Sequence, residues 1–225
     1  MESQEDIFVK REGDGWFERN FENAVISLEE RVSNDRIIAC FGSLGLSPKN
    51  VLEIGCSNGW RLEGLRRTYK CRCFGIDPSF KAINQGKVTY PSIELSISIA
   101  DDLPYKDDFF DNVIIGFCLY LCDRYKLFKI AYEVDRILKN NGNIFISDFD
   151  PNFAYKNEYC HRENVFSYKM SYRNMFMWNP IYSLIYHESF SHDGGGYNNN
   201  PDERISVDVL RKNFDYAYPL HPYRR

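Results

Sequence analysis

The sequence lacks any apolar run long enough to cross a membrane. Its longest apolar stretch, residues 113–121, has nine residues, whereas a membrane-spanning helix needs about 20. The first residues are acidic and polar, without the apolar segment that a secretory signal requires. We therefore expect a cytoplasmic protein that does not bind a membrane.

The cysteine spacing of a metal or disulfide site is missing as well. The seven cysteines are odd in number, and no two are separated by two residues. The pairs at 71/73 and 118/122 do not have the spacing of zinc ligands. We expect reduced thiols that pack as small apolar side chains, and no metal. An alternative metal site at Asp148, Asp150 and His161 has no other support in the sequence.

The chain has no excess of positive charge. Its 28 Lys and Arg residues against 32 Asp and Glu residues give a formal net charge of −4, whereas non-specific nucleic-acid binders are usually basic. We expect a small-molecule substrate and no nucleic acid as a partner. The sequence leaves a homodimer open.

What the sequence does contain is an alternation of short apolar strands and helices. Its 225 residues suit one elaborated domain. Strands are predicted at 50–54, 73–76, 95–99, 112–115 and 143–147. Helices are predicted at 61–69, 80–87 and 124–139, the last capped by residues 140–142. This order is typical of an α/β fold with a doubly wound, mostly parallel sheet.

Two segments flank this core, which spans residues 50–150. Residues 1–49 are predicted to form an N-terminal arm and a helical lid. Between Trp16 and Phe41, apolar residues recur at spacings of three and four, which predicts one helix. Residues 151–225 are predicted to be a substrate-facing elaboration of the same domain. It would add antiparallel strands at 182–190 and 205–209, which makes seven strands in all.

The strongest local signal is the glycine-containing turn at residues 55–59. It ends the first strand and opens the first helix, where open α/β sheets bind their ligands. A dinucleotide fingerprint needs three glycines, but Ser57 and Trp60 occupy two of those positions. A phosphate-binding loop would need Gly-Lys followed by Ser or Thr, which is absent.

This turn resembles the first motif of class I S-adenosylmethionine (SAM) dependent methyltransferases, Glu/Asp-x-Gly-x-Gly-x-Gly. Glu53, Gly55 and Gly59 match that motif, and Ser57 replaces one glycine. Further segments at 74–79, 100–105, 110–114 and 136–142 resemble the later motifs of the family in the same order. The resemblance implies a Rossmann-like SAM-binding core, SAM as the methyl donor and S-adenosyl-L-homocysteine as the product.

The resemblance also implies which residues bind the cofactor. Asp77 would accept the two ribose hydroxyls, with a helix N-cap as its structural alternative. Asp101 or backbone groups would hold the adenine amino group, because Ile99 stands where many relatives have Asp. Glu53 would orient the loop or meet the ammonium of SAM. Arg19, in a segment similar to one that closes over SAM in relatives, would bind its carboxylate or lie in solvent. The full predicted set is Trp16, Arg19, Glu53, Gly55, Cys56, Ser57, Gly59, Asp77, Pro78, Ala100, Asp101, Asp102, Leu103 and Phe117.

Transfer of a methyl group to a hydroxyl requires a general base. The candidates follow the fifth strand: His161 first, then His192, with Asp148 as a further catalytic carboxylate that could orient a histidine. A surface or core histidine is the structural alternative for either one. The predicted substrate-binding residues are Tyr120, Tyr125, Asp150 and Tyr168.

The region after residue 152 resembles bacterial methyltransferases associated with surface-polysaccharide synthesis. This implies O-methylation of a sugar or a nucleotide-linked sugar. Two alternatives stay open: a methyltransferase with an amine or carboxylate acceptor, and a non-catalytic SAM-fold partner subunit.

Overall fold

A computed structural model describes residues 2–22 and 26–221. Its main feature is a seven-stranded sheet in the order β3-β2-β1-β4-β5-β9-β8, accompanied by a separate hairpin, β6-β7. The strands are β1 (Asn50–Ile54), β2 (Arg72–Asp77), β3 (Glu94–Ile97), β4 (Phe110–Gly116), β5 (Leu138–Phe149), β6 (Tyr155–Glu158), β7 (Phe166–Lys169), β8 (Tyr182–Ser191) and β9 (Arg204–Lys212). The predicted fold class, an α/β fold with a mostly parallel seven-stranded sheet, is confirmed.

Eight α-helical segments accompany the strands in the described part of the chain. They are α1 (Gln4–Ile7), α2 (Gly13–Phe17), α3 (Leu28–Asn34), α4 (Arg36–Ser43), α5 (Trp60–Tyr69), α6 (Phe80–Thr89), α7 (Leu127–Ile137) and α8 (Asn174–Met177). Within this described part, no helix is both long and apolar enough to span a bilayer.

The five strands of the core, β1 to β5, pair in parallel. Their apolar runs fit this position, because parallel strands are covered by other elements on both faces. In β4, for example, Val113, Ile114 and Ile115 are fully buried. On one face, Phe41 of α4 stacks on Phe145 of β5 with ring centroids 4.3 Å apart. This packing fixes the carboxyl ends of the strands along one edge of the sheet.

The two C-terminal strands extend this sheet in antiparallel fashion. β9 pairs with β5 on one side and with β8 on the other. The predicted antiparallel addition at one edge is therefore confirmed. The β6-β7 hairpin and α8 fill the sequence between β5 and β8.

The single helix predicted between Trp16 and Phe41 is wrong. α2 ends at Phe17 and a π-helical turn continues to Glu22, while residues 23–25 lie outside the described part of the chain. α3 and α4 begin at separate N-caps: the Ser27 side chain accepts a hydrogen bond from Glu30 N, and Asp35 accepts one from Ile38 N. Both cap residues have extended backbones, which interrupts the helix despite the continuous apolar periodicity.

The predicted end of the long helix is also wrong. α7 ends at Ile137, and residues 140–142, predicted as its cap, lie inside β5. Leu138 pairs with Phe110 and Asn143 with Asn112, so residues 139–142 form a bulge between these two pairs. Asn141 takes a positive φ of 65° in this bulge. The Asn-Asn-Gly signal thus marks a bulge rather than a helix cap. The third strand ends at Ile97 instead of residue 99.

Candidate active site

A cavity of about 890 Å³ opens at the carboxyl ends of β1, β2, β3 and β4. This is where an open α/β sheet presents its ligand site. The sheet side of the cavity is lined by Ile54, Gly55, Ile76, Asp77, Pro78, Ser98, Ile99, Ala100, Asp101, Phe117 and Cys118. The N-terminal segment and α7 close the other sides.

The turn after β1 leaves no room for side chains at its glycines. Gly55 has a φ of +75°, and a Cβ there would lie 2.9 Å from the Cβ of Cys118. Gly59 has a φ of +79°, and a Cβ there would lie 2.6 Å from Cδ1 of Ile93. Ser57, which replaces a family glycine, also takes a positive φ of 51°. The turn therefore keeps the glycine-type backbone at all three positions and brings the main chain to the cavity wall.

Asp77 ends β2 at the edge of the cavity and is braced by main-chain donors. Its Oδ2 accepts a hydrogen bond from Ser57 N at 2.9 Å, and its Oδ1 accepts one from Ser79 N at 2.8 Å. Burial raises the pKa of Asp77 to about 6, against the opposing effect of these two donors. The helix-cap role falls to Ser79 instead, whose Oγ accepts from Ala82 N.

Asp101 reaches the same cavity with a different environment. Its side chain is 1% exposed, and its Oδ2 is bound by Lys126 Nζ at 2.6 Å and by Lys129 Nζ at 3.3 Å. Burial opposes ionisation of Asp101, but the two lysines prevail and hold its pKa below the usual value. Its Oδ1 is buried without a hydrogen-bond partner in the described structure. A buried carboxylate oxygen without a partner calls for a donor from a ligand.

Glu53 braces the turn from behind and does not line the cavity. It is 1% exposed and forms a short ion pair with Arg61, which also donates from Nε to Asp35 Oδ2 at 2.8 Å. Burial raises the pKa of Glu53 to about 7. The network ties the helix cap at Asp35 to β1. This placement favours the loop-orienting role over contact with a ligand ammonium.

The N-terminal segment, residues 4–17, covers the cavity as a lid that is fastened at three places. Gln4 Nε2 donates to the carbonyl oxygens of Leu121 and Phe166, at 2.6 and 2.8 Å. Asp123 accepts from the main-chain nitrogens of Gln4 and Glu5. Asp14 accepts from Ser79 Oγ at 2.7 Å. These bonds hold five lid residues against the cavity: Glu5, Phe8, Val9, Gly13 and Trp16.

Arg19 lies beyond the lid, away from the cavity lining. It forms a short ion pair with Glu12, and its Nη2 donates to Tyr159 Oη at 3.2 Å. Tyr159 Oη also donates to Glu12 Oε1 at 3.1 Å. In this structure Arg19 therefore links the lid to the β6-β7 hairpin.

Phe117 lines the cavity and also packs against a cluster of other aromatic side chains. It has a φ of 52°, unusual for a bulky residue, and its N donates to Ser147 O at 2.8 Å. Its ring lies 5.6 Å from Tyr120, 5.3 Å from Phe149 and 5.4 Å from His192, measured between ring centroids. His192 is thus one aromatic ring away from the cavity, and it is exposed. We call these four residues the aromatic mouth.

The other predicted catalytic residues lie elsewhere. Asp148 is buried and accepts from Phe149 N at 2.8 Å and from Tyr120 N at 3.3 Å, and burial raises its pKa to about 7. It fixes the backbone of the aromatic mouth and has no open path to an acceptor. His161 is exposed on the hairpin loop, where its ring packs edge-on to Tyr159 at 5.3 Å.

The predicted substrate residues are dispersed. Tyr120 belongs to the aromatic mouth, whereas Tyr125 is 70% exposed on the outer surface. Asp150 pairs with Arg173 at 3.2 Å. The guanidinium of Arg124 lies 4.4 Å from the ring of Tyr168. Within the described residues, no group of three or more His, Cys, Asp or Glu side chains is arranged to hold a metal ion.

Half of the predicted cofactor set lines the cavity. The residues that do so are Trp16, Gly55, Asp77, Pro78, Ala100, Asp101 and Phe117; those that do not are Arg19, Glu53, Cys56, Ser57, Gly59, Asp102 and Leu103. The sequence predicted an N-terminal arm before Trp16 but gave no site role to several residues that line the cavity, among them Glu5, Phe8, Val9, Gly13, Lys126 and Ile130. The apolar pair Phe8 and Val9 was the available signal for the lid.

A protein-family model described as a methyltransferase domain matches residues 52–146. The chain is 31% identical over 108 residues to a fatty-acid O-methyltransferase from Mycolicibacterium smegmatis, and 30% identical over 106 residues to ajmaline N-methyltransferase from Rauvolfia serpentina. These matches cover 47% and 44% of this chain but only 39% and 35% of the two relatives. The chain therefore spans well under half the length of these curated relatives.

Solved structures are similar over most of the chain. The N-methyltransferase NodS from Bradyrhizobium japonicum WM9, in complex with S-adenosyl-L-homocysteine, has a TM-score of 0.65 at 16% identity, covering 88% of this chain and 97% of that one. A putative sarcosine dimethylglycine methyltransferase from Galdieria sulphuraria has a TM-score of 0.66 at 11% identity, covering 90% and 98%. At these identities the likeness concerns the fold. Together with the family match, it confirms the predicted resemblance to class I methyltransferases.

Proposed function

We propose that this chain, whose residues 52–146 match a methyltransferase domain model, transfers a methyl group from SAM to a hydroxyl of a small acceptor. The observation that carries the proposal is the position of Phe117. It belongs both to the cavity lining and to the aromatic mouth that contains His192. His192 therefore packs against a side chain that lines the cavity proposed to hold the methyl donor.

The residues that line the cavity suit SAM. Asp77 would accept the ribose hydroxyls, since each of its oxygens already accepts one main-chain hydrogen bond and keeps further acceptor capacity. Asp101 Oδ1, buried and without a partner in the described structure, would accept the adenine amino group. Gly55 would let the main chain approach the sulfonium end. The lid residue Trp16 would cover the bound molecule.

When bound, SAM supplies a methyl carbon that is activated by positively charged sulfur. An acceptor oxygen would bond to this carbon as sulfur leaves with the electrons of the carbon–sulfur bond. His192, which is exposed, would take the hydroxyl proton on a ring nitrogen. Phe117 and Phe149 would hold the acceptor in line with the methyl group and exclude water, and such positioning supplies much of the acceleration.

The proposal also names a class of acceptor. We infer a sugar or nucleotide-linked sugar of surface-polysaccharide synthesis, because aromatic rings such as those of the mouth suit the apolar face of a sugar ring. The two curated relatives are a fatty-acid O-methyltransferase and an alkaloid N-methyltransferase. An amine or carboxylate acceptor is therefore the alternative, and it would need no base.

The test is a screen of sugar nucleotides with SAM, read by a mass increase of one methylene, followed by substitution of the two histidines. We expect His192→Gln to lower turnover by about 100-fold or more, as loss of a general base does, with SAM affinity unchanged. His161→Gln is the matched control and should keep wild-type turnover. Equal turnover of both variants would remove His192 as the base.

Two further measurements separate the alternatives. A rate profile that does not change across the histidine range, around a pKa of about 6.5, would favour an amine or carboxylate acceptor. Calorimetry with SAM alone decides the third possibility, since absence of binding heat would favour a non-catalytic partner subunit.

A further inference from the structure

The loop that carries His192, residues 192–203, is joined to the β6-β7 hairpin at one carboxylate. Asp202 Oδ1 accepts hydrogen bonds from Tyr155 Oη at 2.7 Å, from Asn157 Nδ2 at 2.7 Å and from Lys169 Nζ at 2.8 Å. Tyr155 and Asn157 lie on β6 and Lys169 lies on β7. The carboxylate thus gathers both strands of the hairpin against the loop.

Lys169 connects this junction to the aromatic mouth. Its side chain is only 8% exposed, and its Nζ lies 4.1 Å from the centroid of the Phe149 ring. Lys169 Nζ also donates to the Asp202 carbonyl oxygen at 3.0 Å. Because a buried ammonium needs a counter-charge, the place of Lys169 against Phe149 depends on the carboxylate of Asp202.

His192 depends on the same junction through the main chain. Its N donates to the carbonyl oxygen of Glu203, the residue after Asp202, at 2.8 Å. The His192 ring then lies nearly parallel to Phe149, with an interplanar angle of 18° and centroids 6.4 Å apart. Asp202 is therefore linked to both rings. Lys169 connects it to Phe149, and the neighbouring Glu203 connects it to His192.

We propose that Asp202 is a positioning residue, which together with Lys169 sets the place of His192 and Phe149 at the acceptor side of the site. The effect on turnover rests on the proposed function, whereas the effect on the His192 ring does not. Asp202 touches neither the cofactor cavity nor the reacting groups. It acts through the side chains that it holds.

The direct test is the NMR signal of the His192 ring, assigned by its loss in His192→Gln. Neighbouring aromatic rings displace this signal, so it reports the stacking against Phe149 and Phe117. We expect Asp202→Asn to move the signal toward that of a free histidine. Glu158→Gln is the matched control on the hairpin, since it removes the charge of an exposed carboxylate on β6, and it should leave the signal in place.

Two further variants keep the test decisive. Lys169→Met preserves the stem against Phe149 and removes the ammonium, so it should move the signal as Asp202→Asn does. Asp202→Glu keeps the negative charge and should bring the His192 signal part of the way back to its wild-type position. With an identified acceptor, Asp202→Asn should lower kcat/KM by about 100-fold, the cost of a misplacement near 1 Å, without changing SAM affinity.

The outcomes are separable from those of the proposed function. An unchanged His192 signal in Asp202→Asn, or an equal change in Glu158→Gln, overturns the positioning role. Full turnover in His192→Gln would overturn the proposed base and would leave the NMR result intact. A displaced signal with unchanged kcat/KM would overturn the link between His192 position and turnover.

Discussion

Asp77 and Asp101 bring two carboxylates to one cavity, and their surroundings shift the two pKa values in opposite directions. Asp77 has main-chain donors but no ion pair with a Lys or Arg of the described residues, so desolvation raises its pKa to about 6. Asp101 is buried too, but Lys126 and Lys129 keep its pKa below the usual value. Of these two, Asp77 is consequently the carboxylate whose charge changes just below neutral pH. Asp101 stays ionised throughout the same range.

The difference between these two pKa values predicts that SAM binding depends on pH through the ionisation of Asp77. Because the pKa is raised to about 6, the carboxylate is ionised above that pH and becomes protonated below it. The protonated form cannot accept both ribose hydroxyls. We expect SAM affinity to be constant from pH 7 to 8 and to fall by about tenfold per pH unit below 6. Calorimetric titration at several pH values measures this.

The substitution Asp77→Asn identifies the group responsible. It should weaken SAM binding by roughly 10- to 100-fold at pH 7.5, since hydrogen bonds to a charged acceptor are lost. It should also remove the acid limb, which is the fall in SAM affinity below pH 6. Asp102→Asn is the control, because Asp102 is exposed and does not line the cavity. An acid limb that persists in Asp77→Asn would assign it to another group, such as Glu53.

At the scale of the elements, the parallel strands were predictable because burial on both faces leaves little choice of residue. β1 was predicted to the residue, and β2 and β4 to within three residues at either end. The break at Asp35 was not, since an N-capping side chain and a helix-interior aspartate look alike until the backbone is known. The bulge at 139–142 has the same cause: Asn and Gly favour positive φ in a helix cap and in a strand bulge alike.

The candidate site likewise contains residues that could be predicted from the sequence and residues that could not. Gly55, Asp77 and Asp101 were predictable because each follows a strand that the pattern located. The contribution of residues 5–13 to the cavity was not, because α1 and α2 are only four and five residues long and offer too short a pattern. The association of Phe117, Phe149 and His192 depends on a loop that returns from β8, and no local pattern reports such a contact.

The antiparallel edge carries an ion cluster whose removal should be costly. Arg173 Nη1 lies 3.2 Å from both Asp150 Oδ1 and Asp208 Oδ1, and Asp208 is 2% exposed. His187 Nδ1 lies 2.7 Å from the same oxygen of Asp208. Asp208 on β9 and Asp150 at the end of β5 thus share the guanidinium of Arg173, the residue before α8.

We expect Arg173→Met to lower the free energy of unfolding by about 3 kcal/mol, because it leaves two buried carboxylates without their cation. Urea unfolding at pH 8 should show a lower midpoint with an unchanged slope. Arg162→Met, on the hairpin loop, removes the same charge away from this cluster and should change the midpoint little. Equal midpoints for the two variants would mean that solvent or His187 compensates the carboxylates.

At the scale of the whole molecule, the lid joins parts of the chain that are far apart in sequence. Gln4 bonds to Leu121 after β4 and to Phe166 on the hairpin, while Asp14 bonds to Ser79 before α6. The cavity is therefore closed by hydrogen bonds to the segment after β4, to the hairpin and to the residue before α6. Ligand binding should then stabilise the closed lid together with the fold.

Gln4→Ala tests this coupling with S-adenosyl-L-homocysteine as the probe. At a concentration of 100 times Kd, the ligand should stabilise the wild type by about 2.7 kcal/mol, a rise in Tm of roughly 5–10 °C for a chain of this size. Without ligand, Gln4→Ala should keep nearly the wild-type Tm, because a short lid opens locally without unfolding the sheet. With ligand, it should show about half the rise, as a tenfold weaker Kd implies. Lys10→Ala is the control, since Lys10 lies on the same lid with its side chain 56% exposed. If both variants matched the wild-type rise, the bonds of Gln4 would not contribute to holding the ligand, and the lid would close through Asp14 and Asp123 alone.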